Sequence, residues 1–100
     1  MTRRLVLRKE AREDVASAAT WYDDQEPGLG KDFVTEARQL FRQIAEHPAR
    51  FRPVNPEVRQ ASLHRFPYAV YFSVEPEEIV ILAVIHKRRH PDTWRQRLEP

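Results

Sequence analysis

The sequence lacks cysteine altogether, and it has only two glycines and no long apolar run among its 100 residues. Without cysteine there are no disulfide bridges and no thiolate metal ligands, and the cytoplasm is a permitted setting. The first apolar run, residues 5–7, is too short for the core of a signal peptide, and no later run reaches the length of a membrane span. We therefore expect a cytoplasmic protein that makes no contact with a membrane.

The composition, with 41% hydrophobic and 32% charged residues, is typical of a folded chain. Its length predicts a single domain over residues 1–100. The net charge is only +2, but basic residues concentrate at 3–12 and 87–97, whereas acidic residues gather at 23–26 and 75–78. If the fold brings the two basic ends together, they form one positive surface.

Apolar residues at spacings of three and four predict two amphipathic helices in the first half of the chain. The first covers about residues 10–25. Trp21 and Tyr22 are expected to pack within the hairpin, and the alternative for part of this pair is a docking site for a partner helix. The second ends at His47, because a residue before proline is pushed out of the helical region. The turn at 26–30 contains proline and both glycines, and its shortness makes the two helices antiparallel.

The second half of the chain carries strand signals. A weak, polar strand is predicted at 58–63, after a proline-containing loop at 51–57. Alternation predicts a strand over 68–75, and the unbroken apolar run at 79–85 predicts a central strand that is covered on both faces. A short helix is expected to start at Pro91.

These elements predict an α+β fold. It has an N-terminal strand, an antiparallel helical hairpin packed on a four-stranded, mainly antiparallel sheet, and a short C-terminal helix.

The strongest candidate for a binding surface is the basic segment that directly follows the apolar run. Lysine and arginine neutralise phosphates, aromatic rings stack on bases, and a buried strand gives such a segment rigid support. The alternative is a solvated strand end. The candidates for binding a target or a nucleic acid are Arg59, Arg65, His86, Lys87, Arg88, Arg89 and Trp94.

The histidines give weaker signals. His86 and His90 are four residues apart, which is a metal-ligand spacing on a helix, but His86 ends a strand and no third ligand is evident nearby. We therefore expect no metal site and no cofactor. His64 is either a proton carrier near neutral pH or an ordinary turn histidine.

Three segments are informative in combination: WYDDQEPGLGKDFVTEA, FPYAVYFSVEPEEIVILAVIHKRR and HPDTW. In this order they resemble the ParE/RelE superfamily of small toxins from type II toxin–antitoxin systems, also described as plasmid stabilization proteins. The resemblance covers roughly residues 5–97. It implies a growth-inhibiting toxin that is neutralised by a cognate antitoxin encoded alongside, with operator DNA bound only through the antitoxin.

The resemblance also implies a division by target. ParE-like members poison DNA gyrase and cut no RNA, whereas RelE-like members cut messenger RNA on the ribosome. RelE-like ribonucleases usually carry an arginine after the tyrosine that starts the third strand, but here Ala69 follows Tyr68. Arg88 occupies the basic position after the last strand, and Trp94 replaces the usual tyrosine of the terminal helix. Losing one preorganised donor to a charged transition state costs roughly a few kcal/mol.

Three hypotheses follow from these residues. The favoured one is a toxin that inhibits DNA gyrase and needs no proton-transfer pair. The second is a ribosome-dependent endoribonuclease that uses His64, Tyr68 and Arg88. The third is an inactive homologue that is retained for antitoxin binding and operon control.

Overall fold

The computed structural model describes residues 3–89 and 92–98. The predicted helix start at Pro91 and the histidine pair that involves His90 lie outside these residues. In chain order the elements are β1 (Arg4–Leu7), α1 (Lys9–Gln25), α2 (Leu29–Glu46), a 3-10 turn (Pro48–Arg50), β2 (Arg52–Pro53), β3 (Val58–Ser62), β4 (Tyr68–Val74), β5 (Glu78–His86) and α3 (Thr93–Gln96). Among these described residues, no helix is both long enough and apolar enough to cross a membrane.

The two long helices form the predicted hairpin, and their turn is held by a side chain. The Asp23 carboxylate accepts the backbone N–H groups of Gly28 (3.1 Å) and Gly30 (2.8 Å). Gly28 has φ = +93°, a conformation that glycine adopts without strain. A Cβ at Gly30 would collide with the carbonyl oxygen of Ala19, so only glycine allows the helices to approach this closely.

The sheet has the strand order β1-β5-β4-β3-β2. β1 pairs with β5 in parallel, and the other pairs are antiparallel. β5 therefore lies inside the sheet, as the apolar run predicts. The α+β class and the hairpin are confirmed, but the sheet has five strands rather than four. The extra strand is the two-residue β2, which pairs with β3 inside the segment predicted to be a loop.

The two faces of the sheet have different covers. The helical hairpin packs on one face, where Phe33, Phe72 and Ile81 belong to the larger apolar core. The second cluster lies on the other face and is covered by the C-terminal segment, with Trp94 buried among its members Ala69, Tyr71, Ala83 and Ile85. Beside this cover the same face bears an open concavity of about 610 Å³, whose lining includes Val6, Ser73, Val80 and Leu98.

β5 contains a β-bulge. Tyr71 pairs with Ala83, but the next residue of β4, Phe72, pairs with Ile81, so Leu82 is an extra residue in β5. Leu82 and Ala83 consequently both belong to the cluster beneath the C-terminal segment. Beyond Leu82 and Ala83, successive side chains of β5 again alternate between the two faces of the sheet.

The fold places the start of β1 and the turn that follows β5 at opposite ends of β5. Arg4 pairs in register with Glu78, the first residue of β5, whereas the basic segment follows His86, the last residue of this nine-residue strand. At about 3.3 Å per residue, these positions are roughly 26 Å apart. The two basic ends are therefore brought together only in part: Arg8 donates to the Arg97 carbonyl oxygen, whereas the start of β1 lies far from the turn at 87–89 because β1 runs parallel to β5.

Candidate functional site

Two turns meet at one end of the sheet. The turn at 63–67 connects β3 to β4, and the turn at 87–89 follows β5. Tyr68 and His86 are register partners, and the Lys87 N–H donates to the Pro67 carbonyl oxygen at 2.9 Å. A concavity of about 560 Å³ lies between the two turns and is lined by residues 63–67 and 86–88.

The first turn is anchored to the helical hairpin. The Glu36 carboxylate on α2 accepts the backbone N–H groups of His64 and Arg65. The guanidinium of Arg65 also approaches Asp32 at 3.4 Å, but both side chains are about half exposed (60% and 49%). Such an exposed pair stabilises little, so the Arg65 charge stays available to a partner.

The second turn presents three consecutive cations, Lys87, Arg88 and Arg89, which are all exposed. Within residues 3–89 and 92–98, none of the three forms an ion pair. We call Arg65, Lys87, Arg88 and Arg89 the cationic rim. The Arg89 guanidinium carbon lies 5.9 Å from the ring centroid of Trp21, whose side chain is 47% exposed. An indole and a guanidinium are thus displayed side by side.

His86 holds the shape of this turn. Its Nδ1 atom accepts the backbone N–H of Arg88 at 3.1 Å, and its ring packs edge-on against Tyr68 with 5.4 Å between centroids. Burial lowers the pKa of His86 below its ordinary value, and the positive charges of Arg89 and Arg88 lower it further. At neutral pH the imidazole is therefore uncharged and acts as a hydrogen-bond acceptor.

The tyrosines beside the rim keep their protons. Burial raises the pKa of Tyr68, and burial together with the nearby Tyr68 raises that of Tyr22, although Arg89 opposes both shifts. The two rings lie 6.1 Å apart. Their hydroxyl groups can donate hydrogen bonds at neutral pH, but they cannot act there as bases.

Strand β5 is supported on its way to the rim by a half-buried ion pair. β1 ends opposite Ile81, so the backbone groups beyond that point have no strand on that side. Asp14 of α1 accepts the Val84 N–H at 2.9 Å, and Arg97 donates to the Leu82 carbonyl at 3.0 Å. The Arg97 guanidinium also donates two hydrogen bonds to the Asp14 carboxylate, with N–O distances of 2.5 and 3.1 Å.

Most of the predicted site residues do meet. His64, Arg65, His86, Lys87 and Arg88 line the same concavity, and Arg89 lies beside Trp21 in the turn that follows. Tyr68 contacts His86 from the neighbouring strand.

Arg59 and Trp94 lie elsewhere. Arg59 pairs with Phe72, roughly 13 Å along β4 from Tyr68, and its guanidinium donates to the Phe51 carbonyl at 2.5 Å. Trp94 is 3% exposed and packs edge-on against Tyr71 at 5.7 Å, so its ring cannot stack on a base in this structure. Arg59 is held by a local backbone group, and Trp94 is held by the apolar face that it covers.

The residue that follows Tyr68 lies in the core. Ala69 is 0% exposed and belongs to the cluster beneath Trp94, on the face opposite Tyr68. A larger, charged side chain there would have to displace the tryptophan.

The sequence did not identify Trp21 as a site residue. Trp21 and Tyr22 are neighbours on α1, and successive helical residues point about 100° apart, so both cannot face the core equally. Tyr22 takes the core position and stacks on Phe33 with 5.6 Å between centroids, while Trp21 faces outward. The adjacent aromatic pair was the available signal for an exposed ring.

Comparison with known proteins shows one consistent likeness. A family model described as "ParE toxin of type II toxin-antitoxin system, parDE" matches residues 5–91. Toxin ParE2 of Mycobacterium tuberculosis is 31% identical over 97 residues, which cover 92% of this chain and 89% of that protein. A solved chain described as "Chromosomal ParDE TA system from P. aeruginosa" superposes with a TM-score of 0.76 at 20% identity, covering 85% of this chain and 96% of that one.

Proposed function

We propose that this chain, which belongs to the ParE toxin family of type II toxin–antitoxin systems, inhibits DNA gyrase through its cationic rim. The inhibition requires binding and no chemical step by the toxin. It takes place in the cytoplasm, and a cognate antitoxin encoded alongside prevents it. The toxin reaches operator DNA only as part of its complex with the antitoxin.

The observation that carries the proposal is that the rim offers charge without a paired acid and base. The Nδ1 atom of His86 already accepts the backbone N–H of Arg88, and Tyr68 remains protonated. His64 lines the concavity, but no side chain among the described residues hydrogen-bonds its imidazole into position. A general acid or base comes within hydrogen-bond reach of the proton that it transfers, and among the described residues no hydrogen bond joins the side chains of His64, Tyr68 and His86. The rim therefore has what binding to a target requires, which is exposed positive charge on a rigid support.

The proposal for the antitoxin rests on the family, whose members are toxins of paired systems. The solved relative comes from a system that its title calls ParDE. We propose that neutralisation leaves the fold of the toxin intact, so rim variants that lose toxicity still bind the antitoxin. Retained antitoxin binding then reports that a variant is folded.

Expression of the chain without its antitoxin tests the proposed target. We expect cells to filament and to induce the DNA-damage response, because a stalled gyrase leaves broken DNA. Rapid arrest of translation with cut messages would contradict the proposal and favour the ribonuclease hypothesis. Normal growth with folded protein would leave only the inactive homologue.

Charge reversal locates the surface that acts. The pair Arg88→Glu and Arg89→Glu is expected to abolish toxicity and the inhibition of supercoiling by purified gyrase. The matched control is Arg42→Glu with Arg50→Glu, which changes the net charge equally at two exposed arginines. If the control loses as much activity as the rim variant, the effect is one of total charge and the rim is not the acting surface.

A further inference from the structure

We propose that the cationic rim binds the phosphodiester backbone of a nucleic acid. The inference deepens the proposed function and rests on it for one point only. If gyrase is the target, the bound nucleic acid is the DNA that gyrase holds.

The first argument is the concentration of one charge on a concave surface. Arg65 lies on one side of the 560 Å³ concavity, and Lys87 and Arg88 lie on the other. Two carboxylates lie beside the first turn: Glu36 accepts two backbone N–H groups, and Asp32 approaches the Arg65 guanidinium at 3.4 Å, so the uncompensated charge is mainly that of the second turn. A concave wall of like charges concentrates the field and attracts a ligand that carries several negative charges.

The second argument is the kind of cation. Three of the four rim residues are arginines, whose planar guanidinium can donate two parallel hydrogen bonds to a phosphate. Arg88 and Arg89 form no ion pair within residues 3–89 and 92–98, in contrast to Arg97, which binds Asp14, and Arg4, which binds Glu78 at 2.9 Å. The second turn therefore presents two adjacent guanidinium groups without ion-pair partners among the described residues.

The third argument is the alternation of apolar and cationic surface. Pro67 is exposed and lines the concavity between the cations of the two turns, whereas Leu63 and Phe66, which also line it, are only 5% exposed. Beside this lining, the Arg89 guanidinium carbon lies 5.9 Å from the ring centroid of the exposed Trp21. A nucleotide chain has the complementary pattern, because its phosphates alternate with sugars and flat bases that stack on aromatic rings. An acidic protein surface offers carboxylates without that repeat.

Fluorescence anisotropy of the full-length chain tests the inference with three labelled 20-mers of one sequence: duplex DNA, single-stranded DNA and RNA. Three or four phosphate contacts predict a slope of log K against log salt between about −2 and −4. Arg88→Glu with Arg89→Glu should weaken binding at least about tenfold and reduce the magnitude of the slope by about 2. The matched variant Arg42→Glu with Arg50→Glu should stay within about twofold of the unmodified chain, because its cations are not those proposed to meet the phosphates.

The three probes and the gyrase assay separate the two proposals. Tight binding of duplex DNA together with gyrase inhibition supports both. Binding of RNA or single strands by a chain that does not inhibit gyrase supports the inference and contradicts the proposed target. If the chain inhibits gyrase through its rim but binds none of the three probes, the rim contacts an acidic protein surface and the inference is wrong. Equal loss of binding in both variants also overturns it.

Discussion

The two halves of β5 differ in what surrounds them. The first half, Glu78–Ile81, is paired with β1, and its one charged side chain, that of Glu78, forms an ion pair with Arg4. The second half has no strand on that side. Asp14 and Arg97 satisfy its backbone, and it ends in cations without ion-pair partners among the described residues.

The difference shows where the structure holds charge in place and where it leaves charge free. At the start of β5, opposite charges meet on the surface and stabilise little, because both are solvated. At its end, a half-buried ion pair and a buried tryptophan support a turn whose own charges are uncompensated. Rigid support beneath free charge is expected for a surface that binds a partner.

The largest expected effect is the loss of the cover over the second half. Trp94→Ala removes a buried indole and should lower the free energy of unfolding by about 3–5 kcal/mol. Val80→Ala, at a half-buried position on the first half, should cost about 1 kcal/mol or less. Urea unfolding followed by circular dichroism gives both values.

A smaller change, Trp94→Phe, keeps the experiment informative if the alanine variant does not fold. Its loss in the free energy of unfolding should lie between those of Trp94→Ala and Val80→Ala. Equal costs for Trp94→Ala and Val80→Ala would mean that both halves of β5 are equally covered.

The next effect concerns the two ion pairs beside β5. Asp14→Ala should cost about 2–3 kcal/mol, because it leaves Arg97 and the Val84 N–H without their partner in a site about 16–17% exposed. Arg4→Ala should cost less than about 1 kcal/mol, because the Arg4 side chain is 79% exposed. Denaturant titration of the two variants under the same conditions compares them directly. A cost for Arg4→Ala as large as that for Asp14→Ala would remove the contrast between the two halves.

The smallest effect is a pH dependence at the end of β5. The pKa of folded His86 lies below its ordinary value of 6.5, so on acidification the unfolded chain binds a proton first. The contribution of His86 is therefore present above about pH 6.5 and is lost as the pH falls toward the lowered pKa. The imidazole is surrounded by Tyr68 of β4, the cations Arg88 and Arg89, and His64 across the concavity.

The test compares denaturation midpoints between pH 7.5 and 5.5. His86→Asn keeps an acceptor for the Arg88 N–H but does not titrate, so its midpoint should decline less on acidification than that of the unmodified chain. His47→Asn, at an exposed position after α2, is the control and should follow the unmodified chain. An unchanged decline in His86→Asn would show that other groups set the pH dependence.

Much of the fold follows from periodicity, because periodicity reports which side of a single element is apolar. The alternation from Tyr68 to Val74 gave β4 with its correct faces, and the unbroken apolar run after it gave β5 as an interior strand of the sheet. Periodicity carries no information on which distant side chain closes an exposed strand edge, so the contact between Asp14 and Arg97 was not predicted. It also cannot register a strand as short as β2.

The candidate site was predicted only in part, for a similar reason. Consecutive cations after a buried strand are visible in the sequence, and they do form the rim. Whether an aromatic ring is presented or packed depends on the opposing surface. The sequence therefore assigned Trp94 to the surface and Trp21 to the hairpin interior, whereas Trp94 is buried and Trp21 is exposed.

The bulge at Leu82 determines which way the end of β5 faces. Because Leu82 and Ala83 lie on the same side, every residue after them is shifted by one step relative to a regular strand, and His86 consequently points toward Tyr68. Deleting Leu82 would remove the extra residue and leave Ala83 opposite Tyr71 and His86 opposite Tyr68, as in the present register. The bulge therefore lets β5 contain one residue more than the facing part of β4 without turning the cationic rim to the other face of the sheet.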